Sequence, residues 1–388
     1  MRLIHTADLH LDASFAAAVM PPGFGARCRD DLRQVFHAIM RRAAAWPADA
    51  VLIAGDLFDQ DRVTRSTVAF LREQFEVVRP IPVFIAPGNR DPYVPGSPYA
   101  TEAWPANVYV FDGPVWTAHA LKQADLTVHG FAFDGPDISS NPFAMLQIPD
   151  DGRFHVAVAH GSERAHLPAG KACLAPFDAP AAVPEGLDYF ALGHYHGALP
   201  IAGAFAAAVH YAGAPQGHGF HEPGNRHYLE VELEAGSHGP MVRVQPVASS
   251  KTVFCTYTRD AMDCATPEEL TEALRATARA EERPQAARVV MTGPCTHAVQ
   301  DALPAVCEAV ADAFEFIHIE DATYSAEDYP DLSQEATSLA AFVRRIDREI
   351  QDAPDEARRR MLIRTRDVGL AAYRGRDLPI RGTERPVS

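Results

Sequence analysis

No stretch of this chain is long and apolar enough to read as a transmembrane helix, which needs about 20 consecutive apolar residues, and the N-terminus runs directly into an apolar strand pattern, Arg2-Leu-Ile-His-Thr. A membrane role is therefore not expected, and the cytoplasm is the expected compartment. Cysteine occurs six times (Cys28, Cys173, Cys255, Cys264, Cys295, Cys307) but never as Cys-x-x-Cys. That pattern fits reduced thiols buried as small apolar groups and argues against a zinc site. No internal repeat or low-complexity run appears, so a solenoid is not expected. Positive charge is short: 35 Lys and Arg stand against 51 Asp and Glu, a formal net charge of -16 with a pI near 5.5. A free-standing nucleic-acid binder presents a basic face, so any affinity for DNA should be weak without help from a partner. What remains is a globular chain of 388 residues, 47% hydrophobic and 22% charged, long enough to bury a large core and to divide into more than one domain.

What the chain does have is metal-ligand chemistry at the ends of apolar runs. Four segments carry it: Thr6-Ala-Asp8-Leu-His10, Gly55-Asp56-Leu-Phe-Asp59, Pro87-Gly88-Asn89-Arg90-Asp91 and Gly193-His194-Tyr-His196; a fifth, Ala159-His160-Gly161, lies between the last two. Each follows a run that reads as a buried strand: Arg2 to Thr6, Ala50 to Ala54, Ile81 to Ala86, Phe154 to Ala159 and Leu187 to Leu192. An isolated His pair among 17 histidines would be a weak signal. Ligands at the carboxyl ends of neighbouring strands converge on one crevice, where open α/β sheets place their sites. Carboxylate, imidazole and amide together suit hard divalent ions and a two-ion phosphoryl-transfer site with a bridging carboxylate.

The set Asp-x-His, Gly-Asp-x-x-Asp, Gly-Asn-x-Asp, a lone His and Gly-His-x-His resembles the signature of the calcineurin-like metallophosphoesterases. Ile4-His-Thr-Ala-Asp-Leu-His-Leu-Asp12, Gly55-Asp-Leu-Phe-Asp59 and Tyr211-Ala-Gly-Ala-Pro-Gln-Gly217 resemble its DNA-repair exonuclease branch, which holds the nuclease subunit of the bacterial SbcCD complex and the YhaO-like proteins. The resemblance covers about the first 250 residues and is only architectural beyond them. It implies that Asp8 and His10 bind one ion with His196, that Asn89, His160 and His194 hold the second, and that Asp56 bridges them. The implied ions are two divalent metals, with Mn²⁺ as the expected pair, activating water and neutralising charge on the scissile phosphate. The implied activity is that of a two-metal-ion DNA phosphodiesterase, an exonuclease with endonuclease action as a further expectation. Its implied partners are DNA, an SMC-like ATPase of the SbcC type, and a second copy of the chain as a homodimer.

One position departs from the pattern. The family has Gly-Asn-His-Asp where this chain has Gly88-Asn89-Arg90-Asp91. The family histidine pairs with the second Asp of Gly-Asp-x-x-Asp, here Asp59, and assists at the leaving oxygen or stabilises phosphoryl charge, so Arg90 and Asp59 are the expected catalytic pair. Arginine cannot give up its proton near neutral pH, but it can bind phosphate bidentately. Three readings stay open: an altered nuclease, a nucleic-acid-binding protein with reduced hydrolysis, and an Arg90 that only pairs with Asp59. A small-nucleotide phosphodiesterase and a metal-bound scaffold are the alternatives to the DNA nuclease. His218 and His221 could replace the missing acid, though surface histidines are the simpler reading of both.

The expected fold is α/β, a two-sheet sandwich flanked by helices, with a small α+β cap and a helical C-terminal tail. Apolar residues recur at helical spacing over about 28–45 and 64–78, and strand patterns fall at 108–111, 126–133, 207–211, 228–233 and 242–247. The Pro/Gly-rich stretch 134–152 reads as a surface loop, with substrate contact as its functional alternative, and Ser249-Ser-Lys-Thr reads as a linker. The expected domains are 1–250, catalytic; 251–325, a β-α-β-α-β capping module; and 330–388, a helical segment for partner binding. In the module, Thr266-Pro-Glu-Glu269 signals a helix start, and a helix over 301–313 places Pro304 in its first turn. In the tail, Leu339, Phe342, Val343, Ile346 and Ile350 form one stripe, and a second helix near Pro354 carries Met361, Leu362 and Val368. These stripes either pack on their own domain or dock on an ATPase coiled coil. From Arg358 onward arginines outnumber acids, which reads as a solvated face or a contact for DNA or an acidic partner.

Overall fold

The computed structural model describes residues 1–15, 20–121, 123–138, 142–168, 170, 172–236, 239–280, 283–325 and 336–373. It divides into two compact units, one of Met1–Cys255 with Arg283–Gln285, the other of Thr256–Glu282 and Ala286–Ser388.

The first unit is built on strands β1 (Arg2–Thr6), β2 (Ala50–Ile53), β3 (Val83–Ile85), β4 (Val108–Val110), β5 (Thr117–Leu121), β6 (Leu126–Gly130), β7 (Phe154–His160), β8 (Tyr189–Gly193), β9 (Leu199–Ile201), β10 (Ala208–Tyr211), β11 (His227–Gly236) and β12 (Gly239–Ala248). They form two sheets, ordered β12-β11-β1-β2-β3-β4 and β5-β6-β7-β8-β10-β9. Strands β1 to β4 are parallel, as are β6, β7, β8 and β10, while the hairpin β11–β12 joins β1 antiparallel. Helices α1 (Pro22–Ala45) and α2 (Arg65–Val77) supply the crossovers between β1, β2 and β3, and two single-turn helices, α3 (Pro98–Thr101) and α4 (Ala179–Ala182), lie in loops.

The strands read as continuous apolar runs because both faces of each sheet are covered. Along β7, Val156 and Val158 join the core between the sheets, with Leu3, Leu52, Phe84 and Val231, whereas Ala157 and Ala159 join a second core with Phe131, Phe143, Phe177 and Phe190. That is the period of two expected of a strand. The second core corrects the reading of 134–152 as a plain surface loop. Ile138, Phe143 and Leu146 are buried, and the Phe143 ring stacks on Phe177 at 4.0 Å. Nor is 249–252 a loose linker: the Ser249 hydroxyl donates to the Pro215 carbonyl at 2.6 Å, and Gln216 bonds Lys251 and Thr252 at 2.8 Å each.

In the second unit, β13 (Val253–Asp260), α5 (Pro267–Arg279), β14 (Gln285–Cys295), α6 (His297–Val310) and β15 (Phe316–Ser325) follow one another. The sheet order is β13-β14-β15, with β14 and β15 parallel. Helix α5 starts where expected, Thr266 accepting from the Glu269 N–H. Helix α6 starts four residues earlier than expected, because Thr296 caps it by accepting from the Val299 N–H, so Pro304 lies inside the helix and not in its first turn. Helices α7 (Ser338–Gln351) and α8 (Glu356–Tyr373) pack on each other through Ala340 and Leu370, with an ion pair of 2.8 Å between Arg366 and Asp347. Part of each apolar stripe is thus covered within the unit, while Met361 and Tyr373 stay exposed. Residues 330–335 and 374–388 of the expected tail lie outside the described residues. Among the described residues no helix is long and apolar enough to cross a membrane.

The sheets approach to backbone contact where β8 ends. A Cβ at Gly193 would lie 1.8 Å from the Ala54 carbonyl oxygen and 2.9 Å from the Ala7 Cβ. Gly193→Ala is therefore expected to destabilise the chain by about 3 kcal/mol or more, the upper range for forced overpacking. Urea unfolding checks this, and an unchanged midpoint would mean that the sheets separate there at little cost.

Candidate metal centre

All five ligand-bearing segments leave the carboxyl ends of β1, β2, β3, β7 and β8. The backbone there is unusual: Asp8 (φ 53), His10 (φ 46), Asp56 (φ 52) and His194 (φ 107) are non-glycine residues at positive φ, a conformation that costs of order 1–3 kcal/mol per residue and clusters at functional sites. Hydrogen bonds over-determine it. The Asp8 N–H donates to the Gly55 carbonyl at 3.1 Å and the His10 N–H to the Asp56 carbonyl at 2.9 Å. Buried Asp91 accepts from the backbone N–H groups of Asp56 (2.9 Å), Leu57 (2.8 Å) and Gly88 (2.7 Å) and from the Tyr99 hydroxyl (2.8 Å). Both Asp8 carboxylate oxygens accept from the His194 N–H at 3.1 Å, which fastens the end of β8 to the end of β1 across the two sheets.

The ring nitrogens are sorted in the same way. His10 Nδ1 donates to Asp59 Oδ1 (2.8 Å), His160 Nδ1 to the Ala54 carbonyl (2.9 Å), His194 Nε2 to the Ala172 carbonyl (3.2 Å) and His196 Nδ1 to Glu222 Oε1 (2.5 Å). Each ring leaves its other nitrogen to act as a ligand once that nitrogen carries no proton, the arrangement that orients histidines toward metals. Asp56 Oδ2 then lies 3.5 Å from His10 Nε2 and 3.5 Å from His160 Nε2. Asn89 Oδ1 is 3.0 Å from His160 Nε2, and His196 Nε2 is 3.9 Å from Asp8 Oδ1. His10 Nε2 is buried with no hydrogen-bond partner. An orphaned nitrogen and acceptors facing acceptors, in a buried space, are what a cation would satisfy. The donor set fits divalent ions. Asp8, His10 and His196 can hold one ion, and Asp8, Asp56 and His160 also lie within ligating reach of one another. The seven sequence-selected residues therefore lie at or just past the carboxyl ends of these strands, His160 as the last residue of β7 and the others beyond strand ends, with the His160 and His194 rings 5.1 Å apart.

The charges are strongly coupled. Burial pulls His10 down, but its bond to Asp59 and the charges of Asp56 and Asp8 carry it up to about 9. Burial pushes Asp59 up, but the His10 hydrogen bond and Arg90 bring it down to about 2. Burial and the Asp56 charge push Asp91 up to about 7 against its four donors. Burial and His160 lower His194 to about 4, leaving it neutral and able to ligate. Arg90 Nε sits 3.5 Å from Asp59 Oδ1, with its side chain 47% exposed, while its backbone N–H donates to Asp56 Oδ1 at 2.9 Å. Asp59 thus contacts both Arg90 and, more closely, His10.

Sequence reasoning passed over several residues here. Asp91 stood in plain view inside the Gly88-Asn-Arg-Asp91 string, but its role as a clamp between loops needs coordinates. Tyr99 gave no signal. Glu222 and His218 lie in the Gly-rich segment after Pro215, where His218 had been read as a surface residue. Its side chain is only 10% exposed, and its ring lies 5.2 Å from that of His10. His221, at 73% exposure, does lie at the surface.

A metal centre at the carboxyl edge of two packed mixed sheets defines a metallophosphoesterase architecture, and the family model for calcineurin-like phosphoesterases matches residues 1–198. This chain belongs to that family. It is similar to the uncharacterized metallophosphoesterase YhaO of Bacillus subtilis, 29% identical over 245 residues that make up 61% of this chain and 58% of that protein. It is also similar to the DNA double-strand break repair protein Mre11 of Aeropyrum pernix, 27% identical over 221 residues, 50% of this chain and 49% of that protein. The chain thus spans about half to three-fifths of the length of these relatives.

Because His10 carries a proton below about pH 9 and a metal ligand must shed it, ion uptake at pH 7 should release about one proton from this residue. Apparent affinity should rise about tenfold per pH unit toward pH 9. Calorimetric titration with Mn²⁺ in buffers of different ionisation enthalpy measures the release, and buffer-independent heats would contradict it.

Proposed function

We propose that this chain is a two-metal-ion phosphodiesterase acting on DNA, an exonuclease with endonuclease action, in which Asp56 bridges the ions. The observation that carries the reading is Asp56 Oδ2 lying 3.5 Å from Nε2 of His10 and 3.5 Å from Nε2 of His160. In this reading Asp8, His10 and His196 hold one ion, and Asn89, His160 and His194 hold the other. Bound ions of this kind activate water and neutralise phosphate charge, and Mn²⁺ is the proposed pair because the set mixes imidazole, carboxylate and amide oxygen. The chain's own contribution is orientation: Asp59 turns His10, Ala54 turns His160, and Asp91 holds the loops that carry Asp56 and Asn89.

DNA as substrate, and repair as its context, rest on the similarity to the Mre11 repair protein and on the motif string Ile4 to Asp12. The net charge of -16 supports the further proposal that a partner supplies DNA affinity: an SMC-like ATPase met by the helices α7 and α8, acting on a dimer of this chain in the cytoplasm. Residues 251–325 are the proposed capping domain. Arg90 adds a cation beside the proposed ions. It cannot serve as a proton donor, but its half-exposed guanidinium can bind a phosphate oxygen and stabilise charge. The Arg90–Asp59 contact favours one second reading, a metal-bound scaffold with weakened hydrolysis.

A cleavage assay on labelled linear DNA with Mn²⁺, run beside bis-p-nitrophenyl phosphate and cyclic nucleotides, tests the proposal. Asp56→Asn is expected to abolish cutting. Arg90→His is expected to raise the rate by about 10²-fold or more, the size of a restored general acid. Wild-type cleavage of the small esters alone would replace DNA with a nucleotide substrate, and cutting undiminished in Asp56→Asn would remove the bridged-ion mechanism.

A further inference from the structure

One of the proposed ions takes its ligands from both sheets, Asp8 and His10 from the turn after β1 and His196 from the turn after β8. A path of hydrogen bonds joins these turns through Glu222 and His218. Glu222, buried after β10, accepts from His196 Nδ1 on Oε1 at 2.5 Å. Its Oε2 accepts from the His218 backbone N–H at 3.0 Å and faces His218 Nδ1 at 3.1 Å. On the far side of that ring, His218 Nε2 lies 3.1 Å from the Leu9 carbonyl oxygen. The His218 ring stands edge-on to His10 and 5.6 Å from the His196 ring. The path His196–Glu222–His218–Leu9 thus runs from the turn after β8 to the turn after β1.

We propose that Glu222, acting with His218, is a positioning residue for the ion held by Asp8, His10 and His196, an inference that rests on the two-ion reading above. Asp8 already bonds the His194 backbone, but that contact leaves the His196 ring free to turn. Glu222 fixes it with Nε2 toward Asp8, and a carboxylate behind an imidazole makes its other nitrogen a stronger ligand. The Arg226 guanidinium holds the same residue by its carbonyl at 2.9 Å. A carboxylate is required because both oxygens must accept: His196 and His221 face Oε1, and His218 faces Oε2. A glutamine would set its NH₂ group against one of these donors. The side chains of Asn89, His160 and His194 bond elsewhere, Asn89 and His160 to each other, His160 also to the Ala54 carbonyl and His194 to the Ala172 carbonyl, so the effect should be confined to one ion.

Glu222→Gln tests this by Mn²⁺ titration read through electron paramagnetic resonance, with the unfolding midpoint of the metal-free protein measured in parallel. The wild type should bind two ions with a spin-coupled spectrum. The variant should unfold near the wild-type midpoint, keep one ion at wild-type affinity and bind the other about 10–100-fold more weakly, so that at limiting Mn²⁺ the coupled signal gives way to that of a single ion. If Glu222→Gln does not fold, His218→Gln, which breaks the path at Leu9, is read the same way. Two ions at wild-type affinity in the variant, or equal weakening of both, would overturn the role of Glu222 while leaving the two-ion centre standing. A wild type that binds fewer than two ions would overturn the centre itself.

Discussion

The convergence of Asp56 with ring nitrogens of His10 and His160 is the constraint on which the rest of this edge depends. Carboxylates and imidazoles crowded together out of water are costly to hold, and Asp8, His10, Asp56 and His194 there hold positive φ. Such a site is stable only because its surroundings fix it. Asp91 ties together the loops after β2 and β3, the Asp8 carboxylate ties β8 to β1, and Gly193 lets the two sheets approach to backbone contact. Ion binding adds stability to whichever state holds the ligands in place. The fold thus concentrates unfavourable local terms at an edge where a bound cation would offset them.

The grouping of the candidate ligands at one edge was legible in the sequence because each sits at a fixed offset from an apolar run, and parallel strands deliver such offsets to a common edge. Asp8, His10, Asp56, Asn89, His160, His194 and His196 needed no coordinates to be grouped. The supporting residues did. Glu222 reaches His196 from 26 residues further along the chain, and Tyr99 meets Asp91 from an otherwise unremarked single-turn helix; neither belongs to a periodic pattern. The segment 134–152 looked like a surface loop because its Pro and Gly content hides three apolar side chains that cover the outer face of the second sheet. Strand β5 was invisible for the opposite reason: Thr117–Leu121 is a largely exposed edge with no apolar run. Helix α6 was started late because its proline was taken as a boundary, when the Thr296 cap outweighs it.

Arg90 is where this chain parts from its family, and its consequences are electrostatic. Asp59 is shared between His10 at 2.8 Å and Arg90 at 3.5 Å, so its charge orients a proposed ligand first and anchors the guanidinium second. A permanent cation at this place lowers the charge deficit of an acidic protein facing phosphate, while giving up proton transfer. In the proposed function, Arg90 would couple phosphate binding to turnover through one side chain.

The most direct measurement of the central claim is an anomalous-difference map from crystals soaked in Mn²⁺. The account predicts two peaks about 3.5–4 Å apart, with the Asp56 carboxylate between them and His10 and His160 on opposite peaks. A single peak, or two peaks that share no Asp56 ligand, would contradict it.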